Sequence, residues 1–399
     1  MTNTIPNDVS HRSFVQPRAQ FVGVHTTQQS MRIDRSPLSL CLEAAKGALD
    51  DAGMHKSEID GICAQWMGPG GTKLHPGSPD WSTLLGVPLK WIGDTYPAGV
   101  PAVLDAAAAI TTGVCNTVLV VGGQSRMRVP GGPVAAYTRP DNEFTGCYGS
   151  YTAAQFALIA QQYFHKFGAD PAIMAQVAAS VRNMGAIRPG AALFGKGPFT
   201  AADVMASPMI VEPFHLLELC LASEGAAAFI LTTPERARDC RKRPIRVLGG
   251  GMEWARQQYV DPPLYEQVGR IGVDGFRRAA AIAGIKAADL DVFQLYDANA
   301  FEIIRQLEVI GMCGEGEGFD LVAERGIGTG PGQLPVNTDG GLMSFGHIGW
   351  SGPTLKMVEA VRQLRGEALT SQVEDAKLAV VAGAGSGAQY FNMAILGRD

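Results

Sequence analysis

Long apolar runs are missing from this 399-residue chain: none approaches the roughly 18 residues of a membrane-spanning helix, so no membrane span is expected. Paired cysteines are missing as well. The seven stand apart at 41, 63, 115, 147, 220, 240 and 313, with no Cys-x-x-Cys spacing. That excludes a zinc ribbon or a disulfide framework and fits a reducing, cytoplasmic setting without a metal site. Clustered basic charge is scarce. Arg241-Lys242-Arg243 is a short basic run in a chain of net charge -5, so nucleic acid is not an expected partner. Residues 1–17 are polar, lack the hydrophobic stretch of a signal peptide, and read as a flexible tail.

What the chain does hold is apolar residues, 46% of the total, and 49 glycines, enough for a large, closely packed core. Strands are predicted at 18–27, 59–66, 91–94, 116–123, 223–233 and 245–252. Asn116–Gly123, NTVLVVGG, is apolar nearly throughout, as in a strand covered on both faces. Ser36-Pro37 signals a helix start and Gly53 its end. A second, alanine-rich helix spans 99–112. Strand and helix alternate, which gives an α/β layered fold. Residues 124–208 interrupt the pattern with Gly/Pro loops and two helices, 151–167 and 171–185. This inserted region sits where a substrate lid belongs.

The pattern then repeats. ALDDAGMHKSEIDGI at 48–62 returns as AAAIAGIKAADLDVF at 279–293, and 103–123 returns as 357–383. Two related halves follow, 18–123 with 209–255, and 256–399. Equivalence of the halves brings the helix starts near Gly99 and Pro353 to one place. Just ahead of Pro353 lies NTDGGLMSFGHIGWSG, Asn337–Gly352, which carries His347 in a glycine-rich loop. A histidine beside a helix start can hold negative charge that develops on an oxygen.

These pieces, with Val211–Leu231, DVFQLYDANAFE at 291–302 and AGAGSGAQYFNMAIL at 382–396, resemble the thiolase superfamily, closest to its sterol-carrier branch. The resemblance implies a duplicated five-layer αβαβα body with an inserted loop domain, a homodimer, and an acyl-CoA ligand with no covalently bound cofactor. It makes His347 an oxyanion-hole residue. It gives Gly346, Gly385, Ser386 and Gly387 to the coenzyme A site. Arg126, Arg128 and Lys196 are basic candidates for its phosphates, with a solvated surface as the alternative account of each.

The departures from that family are chemical. Thiolases carry a nucleophilic cysteine where this chain has Tyr96, and a second cysteine near the position of Val381. Where they have His-Asp or asparagine, this chain has Tyr296-Asp297. Cys220 reads as a buried small apolar residue rather than a relocated nucleophile. Without a thiol no acyl-enzyme forms. Retro-aldol cleavage of a β-hydroxyacyl-CoA needs none: it requires a donor for the thioester oxygen, His347, and a proton-transfer group, Tyr296. Thiolase-like aldolases of steroid side chains resemble this pattern and work with a small OB-fold, zinc-ribbon partner, although they have tyrosine where His347 stands. Thiolysis or acyl transfer with a displaced nucleophile, and a lipid-carrying subunit without activity, are the alternatives.

Overall fold

A computed structural model describes residues 15–67, 78–93, 99–125, 152–255, 263–385 and 387–398. Its strands are β1 (Gln20–Thr26), β2 (Gly61–Met67), β3 (Trp91–Gly93), β4 (Thr117–Gln124), β5 (Met209–Val211), β6 (Phe214–His215), β7 (Gly225–Thr232), β8 (Ile245–Trp254), β9 (Val292–Gln294), β10 (Leu378–Gly385) and β11 (Tyr390–Gly397). The helices are α1 (Pro37–Ala52), α2 (Asp80–Leu85), α3 (Val100–Thr111), α4 (Thr152–Phe167), α5 (Pro171–Ala186), α6 (Ala201–Ala206), α7 (Pro234–Ala237), α8 (Tyr265–Val268), α9 (Val273–Ala283), α10 (Ala300–Val309), α11 (Gly318–Arg325), α12 (Gly341–Ser344) and α13 (Gly352–Arg365). Local chemistry sets the boundaries. Ser36 caps α1 by accepting the Ser39 N–H, and Gly53, at φ 71°, ends it.

Nine strands run in the order β3-β2-β4-β7-β1-β8-β11-β10-β9. Duplication is written in that order. Outward from the β1–β8 seam, each half reads antiparallel, antiparallel, parallel: β1-β7-β4-β2 on one side, β8-β11-β10-β9 on the other. β8, grouped with the first half by the sequence, pairs along its length with β11 and takes in the second half the place of β1.

Period-two alternation sorts side chains between separate cores. In β4, Leu119 and Val121 face α1, while Val118 and Val120 face inward. In β10, Ala379 and Val381 face inward, while Val380 and Ala382 join the core formed with α9 and α10. The inward faces of both half-sheets enclose α3 and α13. The layers are therefore α1, half-sheet, α3 with α13, half-sheet, and α9 with α10, the αβαβα arrangement of the expectation. α4 and α5 of the inserted region share a core with α10 and α11 of the second half.

The two helix starts meet. A Cβ on Gly99 would stand 2.6 Å from Pro353 Cβ, and Gly99 has φ 99°. Gly99→Ala should therefore cost about 2–5 kcal/mol, overpacking plus left-handed strain, and chemical denaturation will measure it. A loss within about 0.5 kcal/mol, the range of neutral surface changes, would contradict this contact.

Candidate functional site

Parallel strands β2 and β4 end beside the starts of α3 and α13. Ligand crevices form at such carboxyl ends, where helix N–H groups are unpaired. Gly122 of β4 lies under Ser351: a Cβ there would be 2.2 Å from Ser351 Oγ, which donates to Gln65 O at 3.4 Å. Tyr96, Ser386, Arg126 and Arg128 lie outside the described residues. Lys196 is exposed.

His347 is half-buried in a loop pinned from the first half. Its N–H donates to Ser223 Oγ at 2.7 Å. Its carbonyl accepts from Ser223 N–H at 3.1 Å and from Gln124 Nε2 at 3.1 Å. Gln124 Nε2 also donates to Ser223 O at 2.6 Å. The ring is set as well as the backbone. Gly349 N–H donates to His347 Nδ1 at 3.2 Å, so Nδ1 holds a lone pair and the neutral ring carries its proton on Nε2. Nε2 is then a donor, the polarity that an oxyanion requires. Gly346 has a packing reason of its own, since a Cβ there would come within 2.9 Å of Gln29 Oε1 and 3.0 Å of Ser223 Oγ. Gly385 ends β10 opposite Tyr390, and Gly387, at φ 66°, turns toward β11 against Gln155 and Pro263.

Tyr296 follows β9 and is half-buried. Its N–H donates to Gln306 Oε1 at 3.0 Å, and Gln306 Nε2 donates back to its carbonyl at 2.6 Å. Asp297, also a candidate catalytic residue by sequence, is fully buried and fully engaged. Its carboxylate accepts Leu342 N–H at 3.0 Å and Met343 N–H at 3.2 Å, and Lys356 Nζ lies 2.6 Å from Oδ1. These contacts tie the strand end bearing Tyr296 to the helical turn that leads to His347. Asp339 caps the same turn, accepting Gly341 N–H at 2.9 Å. Burial raises the Asp339 carboxyl and the Lys356 ammonium draws it back down. Beyond Lys356, Glu359 pairs with Arg188 at 2.6 Å, and burial, then the charge of Asp339, pushes Glu359 up to about 7. Sequence reasoning passed over Lys356 and Glu359. Their three-residue spacing along α13 reads as a solvated stripe, yet both are buried between the half-sheets.

Five of the described thiols are raised above the usual thiol range, which disfavours the thiolate a nucleophile needs. Burial, then the nearby Asp297 charge, pushes Cys220 up to about 12. Burial does the same to Cys115 and Cys313, and raises Cys41 and Cys240. A cavity of about 520 Å³ opens near Met54, Asp60 and Lys90. It lies at the amino ends of β2 and β4, the opposite end of the sheet from His347.

Residues 272–398 match the family model described as thiolase C-terminal domain-like. The chain is 32% identical over 394 residues to 17-hydroxy-3-oxo-4-pregnene-20-carboxyl-CoA lyase of Mycobacterium tuberculosis, covering 92% of this chain and 97% of that one. The chain belongs to the thiolase superfamily. It is similar also to a steroid side-chain-cleaving aldolase of Thermomonospora curvata, 30% identical over 389 residues, covering 92% of this chain and 95% of the relative. Among solved structures, this thiolase-superfamily chain superposes on the Ltp2-ChsH2(DUF35) aldolase with a TM-score of 0.82 and 28% identity, over 97% of this chain and 99% of that one. Among the described residues no helix is long and apolar enough to cross a membrane.

The Lys356–Asp297 pair is testable by a double-mutant cycle. Lys356→Met should cost about 3–5 kcal/mol by leaving an uncompensated buried carboxylate, and Lys356→Met combined with Asp297→Asn should recover most of it. Additive losses in urea denaturation would show that the pair does not interact.

Proposed function

We propose that this chain cleaves the Cα–Cβ bond of a β-hydroxyacyl-CoA by a retro-aldol step. One observation carries the reading. The thiolase thiols are missing, while the histidine of the oxyanion loop is kept with Nε2 as its donor. The names of its full-length relatives, a carboxyl-CoA lyase and a side-chain-cleaving aldolase, support the same reaction class.

The step balances without an acyl-enzyme. Tyr296, acting as its phenolate, accepts the proton of the β-hydroxyl and becomes a neutral phenol. The Cα–Cβ electron pair moves into the thioester, giving an enolate whose oxygen is held by His347 Nε2–H. The β-carbon leaves as a ketone or aldehyde. The enolate then takes a proton at Cα from the Tyr296 phenol, which restores the phenolate and leaves the shortened acyl-CoA. Asp297 keeps the two reacting groups in register. Coenzyme A enters as part of the substrate. A sterol-like, aryl or branched acyl group is the substrate class, and the steroid named for two relatives favours the first. A small OB-fold, zinc-ribbon protein is the proposed partner, in line with the DUF35 component of the Ltp2-ChsH2 aldolase. A homodimer is proposed from the family. Thiolysis would need a thiolate, which the raised thiols disfavour.

Two substitutions and one reagent test this. His347→Ala should lower kcat by roughly 10²–10³, the usual worth of one oxyanion donor. Tyr296→Phe keeps the ring and should lower kcat by about 10²–10⁴ while substrate still binds. Iodoacetamide should leave turnover largely intact. Strong inactivation with a trapped acyl-cysteine would replace the lyase reading with a thiolytic one.

A further inference from the structure

Asn392 is fully buried, and neither its Nδ2 nor its Oδ1 has a hydrogen-bond partner among the described residues. An unsatisfied buried amide is a cost to the empty fold, and such costs collect at sites that bind. Its direction is fixed by the alternation of β11. Met393 and Ile395 enter the outer core, while Ala394 and Leu396 enter the central one, so Asn392 faces the central layer. It pairs with Gly383 of β10 and Met252 of β8. Gly383 leaves the room: a Cβ there would stand 2.5 Å from Asn392 Oδ1. One rung along, Gly250 pairs with Ala394, and a Cβ on it would be 2.2 Å from Leu104 Cδ2, so the early part of α3 covers this face. Gly383 is two residues from the carboxyl end of β10. In a parallel crossover, α13 starts at that same end of the sheet, and α3 starts against it. The unpaired amide therefore lies at the end of the central layer where both helices begin, the end that holds His347.

We propose that Asn392 contacts the substrate, with Nδ2–H donating to the oxygen on Cβ of the bound CoA ester. This rests on the retro-aldol reading above. A β-hydroxyl is both donor and acceptor, so it can give its proton to Tyr296 while accepting from the amide. Once that proton has left, the oxygen becomes the product carbonyl and Nδ2–H remains its donor. The amide changes neither charge nor protonation. It orients the Cα–Cβ bond and selects esters that carry the hydroxyl.

The test uses Asn392→Leu, close in size and without polar atoms. Melting temperature of the ligand-free protein is measured first. Binding of a β-hydroxyacyl-CoA and of the same ester lacking the hydroxyl is then measured in a Tyr296→Phe background, where turnover is slowed enough for binding to be read before cleavage. The proposal predicts an unchanged or higher melting temperature, a preference for the hydroxylated ester reduced about 10-fold or more, and deoxy-ester affinity within about 2-fold. A lower melting temperature, or a variant that does not fold, would overturn it by showing an amide that the empty fold needs. Equal losses for both esters would overturn it as well, leaving Asn392 to hold only a water. If the unsubstituted protein cleaves no β-hydroxyacyl-CoA, the retro-aldol reading fails, while the hydroxyl preference still decides the role of Asn392.

Discussion

A lysine ammonium buried between two half-sheets holds this site in shape. Lys356 Nζ stands 2.6 Å from Asp297, and its charge partly offsets the burial that raises the carboxyl of Asp339. Those two carboxylates cap the backbone N–H groups of 341–343, the turn that leads directly into Gly346 and His347. A buried ion pair adds little net stability, because desolvation offsets the attraction. Its value here is geometric. It joins the central helix, the strand end that carries Tyr296 and the histidine loop into one unit, while Ser223 and Gln124 fasten that loop to the other half of the molecule.

On that frame the chemistry follows from what has been kept and what has been lost. An oxyanion donor serves any reaction that passes through a thioester enolate. A thiol nucleophile serves only those that pass through an acyl-enzyme. In the proposed reaction His347 supplies the first and no thiol supplies the second, which favours bond cleavage next to the carbonyl over acyl transfer. The orphaned amide of Asn392 adds a polar group at the same end of the layer, at some cost to the empty fold.

The α/β alternation, the duplication and the ends of several helices were legible in the sequence, because each leaves a local signal, while the five-layer arrangement came from the family resemblance. Ser36, Pro37 and Gly53 mark α1 by capping chemistry, and β4 is marked by an unbroken apolar run that is buried throughout. The meeting of Gly99 and Pro353 followed from the repeat alone. The site was legible in part. His347 and its glycines stand in a recognisable loop, whereas the role of Asp297 depends on which N–H groups reach it across more than forty positions of chain. Lys356 and Glu359 look like solvated charge because helical spacing cannot say whether a polar stripe meets water or another carboxylate. β8 was grouped with the first half, and its pairing along most of its length with β11 could not be read in advance because a strand's pattern does not name its partner. Asn392 in YFNMAIL is one polar residue in an apolar strand, and only the register opposite Gly383 gives it meaning.

The most direct measurement is product analysis in heavy water without free coenzyme A. A β-hydroxyacyl-CoA with a bulky apolar substituent is incubated with the enzyme and its partner, and the products are resolved by mass. Retro-aldol cleavage predicts one ketone or aldehyde and one shortened acyl-CoA, formed in equal amounts, with one deuteron at Cα of the thioester. A reaction that proceeds only when free coenzyme A is supplied, and that yields two thioesters, would contradict it.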